Sequence, residues 1–195
     1  MKPAFFDIDT QIDFLFPAGA LYVPGAEHLI PALQRLNQYA ASQNIPLVSS
    51  TCSHAEDDPE FRDWSPHCVA GTVGQLKPCQ TLLEKRALIG VGSDDHSIEG
   101  AQQIIFEKSQ LDITSSPNFR SLVSRLAADR YVVYGVVTEY CVRFAALALL
   151  ATGKPVSLVT DAIQTLSQEA SERTIREFTA RGGRLTTVAE IYSPS

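Results

Sequence analysis

At 195 residues, 45% of them hydrophobic, the chain is long enough to bury a sizeable core, and a single domain over 1–195 is expected. Its net charge of −6, with no basic run, argues against a nucleic-acid partner. No apolar stretch approaches the ~18 residues of a membrane span. The opening MKPAFFDIDT turns acidic directly after a short apolar run, unlike a secretory signal, so the expected setting is the cytoplasm. Cys52, Cys68, Cys79 and Cys141 make no C-x-x-C pair and are expected as free thiols.

Along the chain, short apolar runs alternate with helical periodicity. Residues 4–8 read as a strand, and 26–43 as a helix with an apolar stripe at Leu29, Ile30, Leu33 and Leu36. Pro31 falls near its first turn, where proline is tolerated. Residues 46–51 and 103–106 read as strands and 119–128 as a helix. The stretch 55–100 is rich in Asp, Pro, Gly and His and is expected as long loops broken by a short helix over 79–84. Residues 131–137 form a fourth strand, 156–160 a fifth and 185–188 a sixth. Thr165 and Gln168 have capping-box spacing for a helix that runs to about 181, where Gly182 and Gly183 close it.

This alternation predicts an α/β fold with three αβα layers around a central, mainly parallel six-stranded sheet. Sites in such sheets form outside the carboxyl ends of the strands. Asp9, Cys52 with His54, Lys108 and Cys141 each fall at such an end. Each alone has a plain structural reading: a turn cap, a surface imidazole, a solvated charge, a small buried residue. Their coincidence on one edge points to chemistry. Cys141 is the most informative of them. It follows an apolar, β-branched strand by three residues and opens a run with apolar residues at helical spacing, which Gly153 and Pro155 end. A thiol on such a turn is a plausible nucleophile, and the amides of a helix start favour its thiolate.

The motifs DIDTQIDF (7–14), GALYVPGAE (19–27), SHAEDDPEF (53–61), WSPHCVAGT (64–72), FEK (106–108), GVVTEYCV (135–142) and VTDAI (159–163) occur in this order. With them the chain resembles the isochorismatase-like cysteine hydrolases, and within these the nicotinamidase-related amidases, nearly end to end. The resemblance implies the isochorismatase-like hydrolase fold and an Asp9–Lys108–Cys141 triad that needs no cofactor. It implies a thioester route from a small carboxamide to the acid and ammonia. The backbone N–H groups of Val137 and Cys141 would form the oxyanion hole, beside a cis Val136–Val137 peptide. Phe14 and Trp64 stand where such enzymes place aromatics against a pyridine ring. A lowered Cys141 pKa is expected from Lys108.

The resemblance also implies a metal site of the Asp-x-His type with a second His. Here His54 and His67 match, and Cys52 replaces the aspartate. Cys52, His54 and His67 form a ligand set suited to zinc, and the alternative is a degenerate site with no metal. The substitution weakens the case for nicotinamide itself. Competing readings are a hydrolase of ureido or carbamoyl compounds, a noncatalytic binding module, and a structural zinc protein, whose spacing fits no common closed motif. The expected partner is a small amide, with no nucleic acid and no membrane, and a homo-oligomer is expected from relatives. Asp161 and the DDPEF segment read as turn-forming; Glu139 and Tyr140 read as touching either substrate or a neighbouring subunit.

Overall fold

The computed structural model describes residues 2–92 and 97–193. Seven strands form one sheet: β1 (Pro3–Ile8), β2 (Leu47–Cys52), β3 (Arg86–Ile89), β4 (Gln103–Lys108), β5 (Arg130–Val136), β6 (Val156–Gln164) and β7 (Arg184–Thr186). Their spatial order is β3-β4-β2-β1-β5-β6-β7, and every neighbouring pair is parallel. The helices are α1 (Ile12–Leu15), α2 (Ile30–Ser42), α3 (Asn118–Leu126), α4 (Arg143–Leu150), α5 (Gln168–Ala180) and α6 (Val188–Tyr192). None of the described helices is long and apolar enough to cross a membrane.

The layers follow from the two-residue period of strand side chains. Phe6 and Ile8 of β1, with Tyr131 and Val133 of β5, pack against Phe119 and Leu122 of α3, Ala145 and Leu149 of α4 and Phe178 of α5. Phe5 and the alternate β5 residues Val132, Tyr134 and Val136 face the opposite way, onto Leu33, Leu36 and Ala40 of α2 and Val188 of α6. The central strands β1 and β5 are buried on both faces, and so read as near-continuous apolar runs.

Three sequence expectations need correction. The sheet has seven strands because β3 forms within the stretch expected as loop. Of its four residues only Ile89 is buried, and the three-residue apolar run Ala87, Leu88 and Ile89 is too short to mark a strand by periodicity. The short helix expected nearby is one tight turn, Cys79–Thr81, and residues 93–96 of the same stretch lie outside the described residues. The cap of α5 is Ser167, whose hydroxyl accepts from the Ala170 N–H, because Thr165 instead donates to Glu139 at 2.6 Å. A capping box does occur, at Thr187 and Glu190 of α6.

The segment after β1 ties the loops to the sheet edge through alternate side chains. Buried Asp7 pairs with Lys77 at 3.0 Å and accepts from Thr10, Asn37 and Ser49. Gln11 accepts from the Cys52 N–H and donates to the carbonyls of Cys52 and Gln75. Asp13 accepts from the N–H groups of Ala20 and Cys68. Gly74 lies so close to Asp13 that a Cβ there would stand 2.1 Å from its carboxylate. Polar groups this deep are stable only when satisfied, and here each is.

Removing one partner of a buried ion pair strands the other charge. Lys77→Met is therefore expected to lower unfolding free energy by about 3–5 kcal/mol, read from urea denaturation. A loss below about 1 kcal/mol, the range of exposed pairs, would show that Asp7 is held by its hydroxyl and amide donors alone.

Candidate active site

The parallel sheet brings all strand carboxyl ends to one edge, and β1, β2, β4 and β5 are contiguous through β2–β4, β1–β2 and β1–β5 pairing. Cys52 pairs in register with Lys108, so neighbouring strands project both side chains to one face. Asp9 follows β1 in the left-handed backbone region (φ 49°), a conformation Asp tolerates better than most residues. The Lys108 ammonium, 1% exposed, lies 2.9 Å from Asp9 Oδ2 and donates to Cys52 Sγ at 3.2 Å, Cys141 Sγ at 3.5 Å and the Gln110 carbonyl at 3.0 Å. Ser50 Oγ donates to Asp9 Oδ1 at 2.6 Å, and Cys52 Sγ lies 3.6 Å from Asp9 Oδ2.

One cation thus faces three groups that can carry negative charge. Burial alone would raise the Asp9 pKa, but the Lys108 charge and hydrogen bonds from Cys141 and Ser50 hold it below the usual carboxylate value. Burial disfavours the charge on Lys108 too, yet Asp9 and the two sulfurs keep it firmly protonated. With Asp9 ionised, the cluster supports one thiolate at most. The Cys52 thiol is drawn down to about 7, chiefly by its hydrogen bond with Cys141 and also by Lys108. Cys141 is pushed well above an ordinary thiol, first by that bond to Cys52 and then by burial and the Asp9 charge. The lowered Cys141 pKa expected from the sequence is therefore reversed: a second buried thiol competes for the same ammonium, and the helix start does not compensate.

Cys141 stands in a wide helical turn, Thr138–Val142, between β5 and α4, where Tyr140 departs from helical geometry (φ −117°, ψ −105°). The Val136–Val137 peptide is cis. Just before it Gly135, at φ 120°, lets β5 approach β1: a Cβ would meet the Ile8 carbonyl oxygen at 2.1 Å. The Glu139 carboxylate accepts from Thr165 Oγ1 and the N–H groups of Leu166 and Ser167, fixing the turn to the segment before α5. Tyr140 and Trp64 meet edge to face at 5.3 Å. Both line a recess with Phe14, Leu21 and Leu166, onto which Cys52, Val137 and Cys141 open. Asp161, inside β6, accepts from the Val188 N–H at the start of α6, a tie across 27 positions in place of the turn expected of it.

The metal-type residues are arranged differently from the sequence expectation. His54 and His67 group with Glu60, their ligand atoms all within 4.8 Å, whereas Cys52 groups with Asp9 and Cys141. The register of β2 explains this, since it aims Cys52 at Lys108. His54 Nδ1 is bonded to Asp58 at 2.9 Å, and His67 Nδ1 to the Ser65 carbonyl at 2.8 Å, leaving both Nε2 atoms for a common point. His54 Nε2 is buried and has no hydrogen-bond partner. Two imidazoles and a carboxylate, with Asp58 and the Ser65 carbonyl fixing the two rings through Nδ1, are a donor set that fits zinc with an open position. Burial opposes charge on His54, but Cys52 and Asp58 raise its pKa to about 9. Burial lowers that of His67.

The structure brings Asp9, Lys108 and Cys141 together and sets Phe14 and Trp64 on the recess. Sequence reasoning missed Ser50, Asp58 and Glu60. Asp58 and Glu60 lie in the segment read as loop punctuation. Two acids spaced between His54 and His67 were the available signal.

A family model described as Isochorismatase domain matches residues 95–190. The chain is 25% identical to the nicotinamidase of Escherichia coli (strain K12) over 206 residues, covering 94% of this chain and 93% of that protein. It is 23% identical to the N-carbamoylsarcosine amidase of an Arthrobacter species over 152 residues, 78% of this chain and 55% of that one. Among solved structures, the pyrazinamidase of Pyrococcus horikoshii in complex with zinc superposes with a TM-score of 0.78 at 25% identity, covering 96% of this chain and 99% of that one.

Because Cys141 is held as a thiol, its labelling by iodoacetamide in the free protein is expected to rise with pH and reach half its maximum above about 8.5, the ordinary thiol value. Peptide mass spectrometry follows Cys141, with exposed Cys79 reporting on the reagent. A half-rise below about 7 would place the thiolate on Cys141 instead.

Proposed function

We propose that this chain, a member of the isochorismatase-like hydrolases, is a cysteine-dependent amidase that converts a small, flat, neutral carboxamide to its acid and ammonia, with nicotinamide the leading candidate. One observation carries the reading: Asp9, Lys108 and Cys141 converge in a buried cluster that opens onto an aromatic-walled recess.

The free-state charges suit this chemistry. Asp9 is held ionised by Lys108, and the Cys141 sulfur lies within 4.8 Å of its carboxylate. As general base Asp9 takes the thiol proton while the sulfur attacks the amide carbonyl. The N–H groups of Val137 and Cys141 receive the oxyanion. Asp9 then passes its proton to the nitrogen, the C–N bond breaks, ammonia leaves and a thioester remains. In the second half Asp9 takes a proton from water, the hydroxide attacks the thioester carbonyl, and the thiolate leaves and recovers that proton. Lys108 holds carboxylate and sulfur in place throughout and balances whichever is anionic.

The recess walls indicate the substrate class. Phe14, Trp64 and Tyr140 offer flat faces and edges to a ring. Among the described lining residues none is cationic, and Glu60 is acidic. A carboxylate-bearing carbamoyl compound, the substrate type suggested by the N-carbamoylsarcosine amidase relative, would find no counter-charge there. Zinc would be held by His54, Glu60 and His67, and when bound would supply a Lewis acid at the recess wall for a ring nitrogen or a water. Asp58 orients His54 toward that position.

Ammonia release should follow for nicotinamide and pyrazinamide and be far weaker for N-carbamoylsarcosine. Cys141→Ala should lower kcat at least about a thousandfold. Trp64→Ala should raise KM roughly 2- to 10-fold with less effect on kcat, as loss of a stacking wall implies. Preferential turnover of the carbamoyl acid would transfer the mechanism to the other substrate class. Asp58→Asn should weaken zinc binding about 10- to 100-fold, measured by titration against a chromophoric chelator. Unchanged affinity would remove His54 from the ligand set.

A further inference from the structure

We propose that Cys52 and Cys141 are a redox pair: a hydroperoxide converts them to an intramolecular disulfide that closes the site, and a dithiol reopens it. The observations are geometric. The two sulfurs and an Asp9 carboxylate oxygen lie within 4.8 Å of one another. Lys108 bridges the sulfurs at 3.2 and 3.5 Å. Both thiols are otherwise buried, at 2% and 4% exposure, yet both line the one recess, so a molecule the size of hydrogen peroxide reaches them by the substrate's route. The other two cysteines are placed differently: Cys68 packs toward the Gly74 carbonyl and Cys79 is exposed.

Bond formation requires the sulfurs to close to about 2.05 Å. Cys52 ends a central strand. Cys141 sits in the irregular turn at Tyr140, so the movement falls on the turn. The chemistry balances. One sulfur, as thiolate, attacks the peroxide O–O bond, giving a sulfenic acid and a hydroxide or alkoxide that takes up a proton. The second thiol attacks the sulfenic sulfur, the S–O bond breaks, and the departing hydroxide leaves as water with that thiol's proton. Two thiols lose two electrons and the peroxide gains them. Lys108 lies beside both sulfurs to stabilise the anions that form and leave, and Asp9, 3.6 Å from Cys52, offers a proton relay. A single active-site thiol lacks this exit and proceeds to irreversible acids.

The loss of activity rests on the nucleophile role proposed for Cys141; formation of the bond does not. The test treats the full chain with hydrogen peroxide and reads intact mass, linked peptides and amide hydrolysis, each protein normalised to its own untreated activity. Wild type should become lighter by about 2 Da, yield a peptide joining Cys52 to Cys141, and regain most of its activity with dithiothreitol. Cys52→Ser should gain oxygen on Cys141 and remain inactive after the same reduction. Oxygen adducts on wild-type Cys141 without a linked peptide would overturn the pair, as would equal recovery of the variant. If the variant does not fold, or no amide is turned over, the wild-type peptide map still decides.

Discussion

A single buried ammonium organises this site. Lys108 has left water entirely, a transfer that costs several kcal/mol unless charge and hydrogen bonds replace the lost hydration. Asp9, two sulfurs and a carbonyl supply that replacement within 3.5 Å. The arrangement is reciprocal. The cation keeps Asp9 ionised despite complete burial, and Asp9 with the sulfurs keeps the cation protonated. Because one positive charge cannot neutralise three anions in a low-dielectric interior, the thiols must share what remains. Hence Cys141, the proposed nucleophile, is pushed toward the thiol form beside an ionised carboxylate.

The scaffold around that charge is built from β1 and the residues after it. Asp7, Gln11 and Asp13 hold the loops at the sheet edge, and Asp9 holds the Lys108 ammonium. The segment carrying His54, Glu60 and His67 is anchored at one end by β2 and at the other by the Cys68–Asp13 hydrogen bond. Binding groups carried on loops are thereby positioned almost as firmly as groups on strands, which is what preorganisation of a site requires. Structural and chemical residues alternate within one short stretch, so a loss of stability and a loss of function would often arise together there.

Cys52 marks where this chain departs from the motif it otherwise resembles. A thiol at that position groups with Asp9 and Cys141 while still raising the His54 pKa, and it changes the electrostatics of Cys141. The donor set for a metal is completed from the other side by Glu60, so replacement of the aspartate need not remove metal binding.

Much of this was legible in the sequence because it depends on local pattern. Apolar β-branched runs alternating with helical stripes dictate a parallel sheet, and the carboxyl-end rule then places Asp9, Lys108 and Cys141 on one edge without any coordinates. Strand β3 escaped because an exposed edge strand buries too little to leave a period. Glu60 and Asp58 escaped because a loop residue's partner is chosen by the path of the loop, which no periodicity encodes. The direction of Cys52 was decided by β-strand register, and the reversed Cys141 pKa by a neighbour 89 positions away in sequence. Residue types and their order thus determined which chemistry the chain can perform. Only tertiary contact, through burial and the sharing of one charge, decided in which direction each thiol's pKa moves.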